Sequence, residues 1–242
     1  SGTNDAPTVE EIGDIQVSST IEGNQISQQM TSLSDGGFVV TWNTFEETGI
    51  WSIYAQQFDA SGNKVGDETL VNTNQEGSDF STRITSLDDG GYVVTWTPNG
   101  INGVGQEVYT QKFDASGNKV GAETLVNSHS TDDQSQPDIT SLLDGGYVVS
   151  WTSLEQDGSG SGVYAQQFDI HGNKSGEEIQ VNITTEGNQV HQQITSLSDG
   201  GFVFTRNMIE EVGVWSTYAQ QFDSIGNKVG TETLVNTNQE GS

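Results

Sequence analysis

Short apolar runs recur along the whole chain, and within them the side chains alternate with the period of two that is typical of β-strands. The clearest run is Phe-Val-Val-Thr-Trp at positions 38–42. It places Phe38, Val40 and Trp42 on one face of a strand and the two intervening residues on the other. The i, i+3, i+4 spacing of amphipathic helices is missing from the sequence. The pattern therefore predicts an all-β fold.

One unit of sequence occurs four times: a polar strand, an Asp-Gly-Gly turn and the apolar strand. The unit recurs about every 55 residues, a period that indicates a propeller, a solenoid or an array. Each copy continues with a third strand, which is Tyr54–Phe58 in the first copy. An Asp-x-x-Gly-Asn-Lys turn then leads to a fourth strand, predicted at 68–72. Gly and Asn at these bends are the residues that hairpin turns require.

Four short antiparallel strands per copy, each with apolar residues on both faces, predict β-propeller-like blades that are packed between neighbours. Residues 1–13 are polar, contain Pro7 and are predicted to be a linker from a preceding extracellular domain. Residues 14–242 are predicted to form one repeat domain. Because Leu70–Ser78 recurs as Leu234–Ser242, we expect this domain to be part of a longer array.

The composition narrows the possible partners. The net charge is −27, from 34 acidic and 7 basic residues, which disfavours nucleic acid and anionic membranes. No run approaches the roughly 20 apolar residues of a membrane span, so no membrane insertion is expected. The chain has no cysteine, which excludes disulfides and thiolate metal sites. Excess carboxylate suits a calcium-rich medium, and it also keeps a repetitive β-protein soluble.

Two sets of repeated aspartates are candidate structural calcium ligands, because Ca²⁺ prefers carboxylate oxygens. They begin the two turns of each copy: Asp35, Asp89, Asp144, Asp199, and Asp59, Asp114, Asp169, Asp223. The competing interpretation is a turn in which each carboxylate accepts a local backbone N–H. That interpretation is favoured, since one carboxylate supplies far fewer than the 6–8 oxygens that calcium takes.

A second candidate site lies on the loop between the second and third strands, where the copies differ. Trp51 and Trp215 occur there only in the first and fourth copies, each close to an acidic pair. An aromatic ring beside carboxylates can hold a sugar ring, and packing at the start of the third strand is the alternative. The candidate ligand-binding residues are Trp51, Trp215, Glu46, Glu47, Glu210 and Glu211.

Two motifs carry a resemblance to a known class of proteins. Gly-Thr-Asn-Asp-Ala-Pro-Thr at 2–8 looks like the junction between VCBS or cadherin-like domains of giant bacterial adhesins. Asp-Gly-Gly-Tyr-Val-Val-Ser-Trp at 144–151, with Tyr-Ala-Gln-Gln-Phe-Asp at 164–169, is similar to repeats of the same RTX-type proteins. The resemblance covers nearly the whole chain. It implies type I secretion, a bacterial cell-surface or secreted location, and extracellular calcium.

The sequence and this resemblance together predict a non-enzymatic adhesin module that binds an extracellular ligand, most plausibly a glycan. A purely structural, calcium-stabilised spacer is the alternative, and a glycosidase is the weakest one, because the residues show no paired acid and base. Self-association of the chain, which would close a ring of blades, is a further partner interaction that the sequence allows.

Overall fold

The computed structural model describes residues 14–19, 24–46, 51–73, 81–98, 105–211 and 214–236. Within these residues the strands form four antiparallel sheets, each with four strands in sequential order. Each sheet is one copy of the sequence repeat and is called a blade below. The predicted all-β, propeller-like architecture of four-stranded repeats is therefore confirmed. The predicted linker at 1–13 lies outside the described residues, and the proposed domain division stays a prediction.

The strands of successive blades have closely similar bounds. The first blade contains β1 (Asn24–Ser32), β2 (Phe38–Phe45), β3 (Trp51–Phe58) and β4 (Lys64–Leu70). The second contains β5 (Ser81–Ser86), β6 (Tyr92–Thr97), β7 (Tyr109–Phe113) and β8 (Lys119–Leu125). The third contains β9 (Gln134–Ser141), β10 (Tyr147–Leu154), β11 (Ser161–Phe168) and β12 (Lys174–Gln180). The fourth contains β13 (Gln189–Ser196), β14 (Phe202–Glu211), β15 (Val214–Phe222) and β16 (Lys228–Leu234).

The Asp-Gly-Gly turn joins the first two strands of every blade. In the first blade the carboxylate Oδ1 of Asp35 accepts the Gly37 backbone N–H at 2.8 Å. Gly36 has a φ of 88°, a conformation that glycine adopts without strain. A Cβ on Gly37 would lie 2.3 Å from the backbone oxygen of Phe58 on the third strand. The repeated Asp-Gly-Gly is therefore explained by backbone geometry and close packing.

The two turns of a blade lie at one end, and the loop between the second and third strands lies at the other. This follows from the antiparallel order, since β1 and β3 both run towards the turns and β2 runs away from them. Gly36 and Ala60, from the two turns of the first blade, are close enough that a Cβ on the glycine would lie 3.4 Å from the alanine Cβ. We call these the turn end and the loop end.

Hydrophobic clusters hold neighbouring blades together. Each blade has a leading face, towards the preceding blade, and a trailing face, towards the next one. Between the first and second blades, the trailing residues Val39, Ile53 and Val71 pack against the leading residues Val94 and Trp96. The same arrangement recurs between the second and third blades and between the third and fourth. Burial of apolar residues on the facing sides of adjacent sheets is what stacks the blades in sequence order.

The innermost strands of successive blades are β1, β5, β9 and β13, and each contacts the next. In the described residues no packed interface joins the fourth blade to the first, so the blades form an open arc. The described part of the chain contains no helix that is long and apolar enough to span a membrane.

Candidate functional site

The innermost strands carry backbone strain at one equivalent position. Ser27, Gln136 and His191 are non-glycine residues in the left-handed region, with φ of 56°, 53° and 55°. Each lies where the pairing of its inner strand with the neighbouring strand shifts register. The inner strand of the second blade pairs without such a shift. Strain of about 1 kcal/mol or more at each such residue, at bulges, is a feature that concentrates at functional sites.

Two of these strained residues line a cavity of about 320 Å³ between the innermost strands of the second, third and fourth blades. Gln136 and His191 contribute to its wall, together with Arg83 and Asp138. The bulge in the third blade is held in place from the fourth, because the Gln192 side-chain amide donates to the Gln136 carbonyl oxygen. The Gln192 Oε1 in turn accepts from the Thr152 hydroxyl at 2.8 Å. The cavity wall is thus a hydrogen-bonded structure that crosses a blade boundary.

Asp138 is the acid of this cavity. Its Oδ2 accepts the Ile194 backbone N–H at 3.0 Å, and its Oδ1 lies 3.9 Å from the Arg83 Nε. The side chain is 22% exposed, and its burial raises the pKa of the carboxyl. Hydrogen bonds from the Ile194 and Ile139 backbone N–H groups and the charge of Arg83 act in the opposite direction and lower this pKa. By contrast, hydrogen bonds within their own turns lower the pKa values of Asp59, Asp114, Asp169 and Asp223. A raised pKa shifts a carboxyl towards the range in which it can act as a general acid.

Equivalent positions in the other inner strands carry different chemistry. Aligning the four Thr-Ser-Leu segments places Gln29, Arg83 and Gln193 at the position of Asp138. The sequence analysis did not identify Arg83, Asp138 or His191 as site residues. The signal that could have found them is this repeat position, which changes from amide to cation to acid while the Thr-Ser-Leu that follows it is the same in every copy. Its significance depends on knowing that the strand is innermost.

The two tryptophans predicted to bind a ligand lie at the loop end in different surroundings. Trp51 packs against the cluster between the first and second blades, with its ring 5.1 Å from that of Phe45. Trp215 is 45% exposed and stacks on the His191 ring at a centroid distance of 5.8 Å. The structure therefore brings Trp215, but not Trp51, next to a residue of the inner cavity.

The acidic residues predicted beside these tryptophans are only partly described. Glu46 accepts hydrogen bonds at its Oε1 from the Ser52 hydroxyl at 2.7 Å and the Tyr54 hydroxyl at 3.1 Å. Glu47 lies outside the described residues. Glu210 and Glu211 belong to β14, but their side chains lie outside the described part. Ligand binding by this set stays a prediction.

The aspartates predicted to bind calcium lie at the turn end, away from the inner cavity's bulges. Asp59 Oδ1 accepts the backbone N–H groups of Ser61 and Asn63 at 2.9 and 2.8 Å. Hydrogen bonds from the Asn63 side chain and backbone lower the pKa of Asp59. Each described aspartate of the two sets accepts N–H groups of its own turn, as in these examples. In the described ranges no three His, Asp or Glu side chains come together as a metal site, and calcium binding stays a prediction.

Comparison with known proteins identifies the fold. No protein-family model and no curated protein matches the sequence. An α-L-arabinofuranosidase from Fusarium graminearum superposes with a TM-score of 0.61 at 11% identity, over 87% of this chain and 66% of that enzyme. A polysaccharide lyase matches with a TM-score of 0.54 at 12% identity, over 90% of this chain and 50% of that one. A thermostable family-43 glycoside hydrolase matches with a TM-score of 0.51 at 11% identity, over 90% of this chain and 77% of that one.

These matches correct the functional prediction. The non-enzymatic adhesin module predicted from sequence is wrong on this comparison, because the three structural neighbours described above are glycoside hydrolases and a polysaccharide lyase. Of the activities considered, the glycosidase, ranked last from sequence, is the one these neighbours favour. At 11–12% identity the likeness shows the fold: the chain is a β-propeller-like arc of four blades.

Proposed function

We propose that this chain processes carbohydrates and hydrolyses a glycosidic bond at the inner cavity, with Asp138 as the general acid. The observation that carries the proposal is the raised pKa of the Asp138 carboxyl inside a cavity walled by strained bulges. A protonated carboxyl can protonate the leaving oxygen of a glycoside as the glycosidic C–O bond breaks, which is the role one carboxyl plays in glycosidases generally. Water then adds to the anomeric carbon, and the proton it releases returns to the carboxylate. Structural likeness to glycoside hydrolases supports this choice of reaction class.

The charge of the protein favours a neutral substrate. The net charge of −27 repels polyanions, so an uncharged oligosaccharide enters the cavity at lower electrostatic cost than a uronic-acid polymer. Gln136, His191 and Gln193 line the cavity and offer amide and imidazole groups that can exchange hydrogen bonds with sugar hydroxyls. Arg83 holds the Asp138 carboxyl in place and limits how far its pKa rises.

The test is a hydrolysis assay on the full chain with a panel of neutral oligosaccharides that includes arabinofuranosides, reading new reducing ends. Asp138→Asn is expected to lower the rate at least about 100-fold, the range of a general acid's contribution. Asp67→Asn, at an exposed position on β4, is the matched control and is expected to leave the rate unchanged. A wild-type chain that cleaves no member of the panel, or an Asp138→Asn variant with full activity, would contradict the proposal.

Polysaccharide elimination is a second candidate, because Arg83 and His191 line the same cavity. A lyase needs a cation against the substrate carboxylate and a base that removes the neighbouring ring proton as the C–O bond to the leaving group breaks. Arg83 and His191 are suited to these two roles. An ultraviolet-absorbing unsaturated product from a uronic-acid polymer, lost in Arg83→Gln, would favour elimination over hydrolysis.

A further inference from the structure

The first two internal blade boundaries use the same pair of contacts. The chain that leaves the fourth strand of one blade inserts a valine into the interface, as Val71 does between the first and second blades. The backbone N–H two residues after the valine then donates to a glutamate on the fourth strand of the following blade. Thr73 N–H donates to Glu123 at the first boundary, and Ser128 N–H donates to Glu178 at the second, at 2.8 Å. These contacts define how the tail of one blade sits on the leading face of the next.

Residues 14–19 make both contacts with the first blade. Val17 packs against Val40, Trp42 and Phe58, as Val71 packs on the equivalent residues of the second blade. The Ser19 backbone N–H donates to Glu68, which is equivalent to Glu123 and Glu178. The sequence agrees, because Asp-Ile-Gln-Val at 14–17 matches Glu-Ile-Gln-Val at 178–181. Residues 14–19 therefore occupy the place of a preceding blade's tail.

The rest of the leading face of the first blade is open in the described residues. A cavity of about 530 Å³ lies beside residues 14–19, with walls that include Met30, Phe38 and Trp42. Its lining is mainly apolar, and Met30 is 69% exposed. On the other three blades the corresponding face is covered by the trailing face of a neighbour. The cavity is the space that the strands of a preceding blade would fill.

Among the residues that the structure describes, the trailing face of the fourth blade is the complementary open surface. Val235 is 58% exposed, whereas the equivalent Val71 is fully buried against the second blade. Trp215 is exposed, whereas the equivalent Trp51 packs against the same interface. Since the fourth copy repeats much of the first, this open face has nearly the chemistry of the face that receives the second blade. The two open ends are thus the two halves of an interface already present inside the chain.

We propose that the trailing face of the fourth blade docks on the leading face of the first blade of a second copy, as the first blade docks on the second. Such an interface is head-to-tail, so it builds a ring where the geometry closes and a longer assembly where it does not. Residues 14–19 occupy the position that the segment after the fourth strand of the docking blade would take. They must therefore dissociate from the first blade before the fourth blade of another copy can bind there completely. The segment therefore limits association, and the net charge of −27 opposes it further at low salt.

The experiment measures mass by light scattering against protein concentration, at low and high salt. Wild type is expected to associate weakly and more strongly as salt screens its charge. Deletion of residues 1–23 is expected to lower the dissociation constant at least about tenfold, because the competing segment is removed. Val17→Asp, which weakens the segment's packing without shortening the chain, is expected to change it in the same direction.

Val235→Asp is expected to raise the dissociation constant at least about tenfold in every one of these backgrounds, since docking would bury the new carboxylate. Val229→Asp is the matched control, because the equivalent Val120 is also exposed in the second blade, which has a neighbour on each face. Thermal unfolding checks that each variant is folded. The proposal would be overturned if wild type, the deletion of residues 1–23 and Val17→Asp all stayed monomeric at every concentration and salt level. So would association that Val235→Asp leaves unchanged.

Discussion

The first and fourth blades have nearly the same sequence and opposite neighbours. The first is covered on its trailing face by the second blade, and the fourth is covered on its leading face by the third. Val71 is fully buried and Val235 is 58% exposed, although both follow the same Glu-Thr-Leu strand end. The comparison teaches that the repeat encodes a blade, whereas the position of the blade in the arc decides which face is core.

One position shows how the fourth blade differs chemically from the first. Trp42 of the first blade is replaced by Arg206, which is 2% exposed and lies over the Tyr218 ring at 4.8 Å. Arg206 makes a two-bond ion pair with Glu232, at 2.9 and 2.8 Å, and also donates to the Gln189 side chain. In the third blade the Trp151 indole donates to Gln134, the equivalent of Gln189. The guanidinium thus replaces the indole in both its stacking and its hydrogen bond.

The largest expected effect is at this position. Arg206→Ala should lower the free energy of unfolding by about 3–5 kcal/mol, because Glu232, only 8% exposed, would be left without a partner. Denaturant unfolding followed by fluorescence measures this loss. Arg206→Trp, which restores the residue of the first blade, also removes the partner of Glu232, but it should cost less than Arg206→Ala because the Tyr218 ring and Gln189 keep a partner. If Arg206→Ala and Arg206→Trp lost equal stability, a tryptophan at this position would not replace the contacts of Arg206 with Tyr218 and Gln189.

The next effect should be the same in both blades. Gly37→Ala and Gly201→Ala each place a Cβ 2.3 Å from a backbone oxygen, of Phe58 and Phe222 respectively. We expect each to lower the free energy of unfolding by about 3 kcal/mol, since the clash is with backbone and requires a strand to move. The same denaturation experiment on both variants tests this. A fourth blade that tolerated the change would mean that its open face lets the turn relax.

A third pair of substitutions should separate the blades. Val71→Ala should cost about 2 kcal/mol through the cavity it leaves, while Val235→Ala should cost less than about 0.5 kcal/mol at an exposed position. The measurement is made at low protein concentration, where copies are dissociated. If the two losses were equal under those conditions, the described trailing face of the fourth blade would have to be covered in the monomer.

The smallest expected effect concerns one position of the repeat, at which the first and fourth blades carry glutamine and the third carries Asp138. Burial raises the pKa of Asp138 in the folded state, so its contribution to stability is present below the ordinary aspartate pKa and is lost as pH rises through the raised value. Asp138→Asn has no charge to bury. As pH rises through this window, the melting temperature of Asp138→Asn should therefore increase relative to that of wild type. Above the window the difference between the two should stay constant.

A melting series against pH tests the Asp138 prediction. Gln193→Asn, at the equivalent position of the fourth blade, is the control and should follow wild type at every pH. A difference between Asp138→Asn and wild type that is constant with pH, or that shrinks as pH rises, would contradict the raised pKa.

The sequence by itself determined the blade. The period-two pattern, the turn glycines and the repeated aspartates specify local hydrogen bonds and sterics, and these operate within one copy whatever surrounds it. The strand order and propeller-like form followed from that regularity. The fourth strand was predicted to begin at 68 and begins at Lys64, because pairing with the third strand continues to the turn.

Only the tertiary structure decided the site and the open ends. Asp138, Arg83 and His191 come from three blades, and nothing in their spacing shows that the strands carrying them are innermost neighbours. The raised pKa of Asp138 arises from burial between blades, which a single copy cannot provide. Likewise Trp51 and Trp215 have closely similar local sequences, and a neighbouring blade covers only one of them. Local physics repeats with the sequence, whereas burial depends on what packs against each copy.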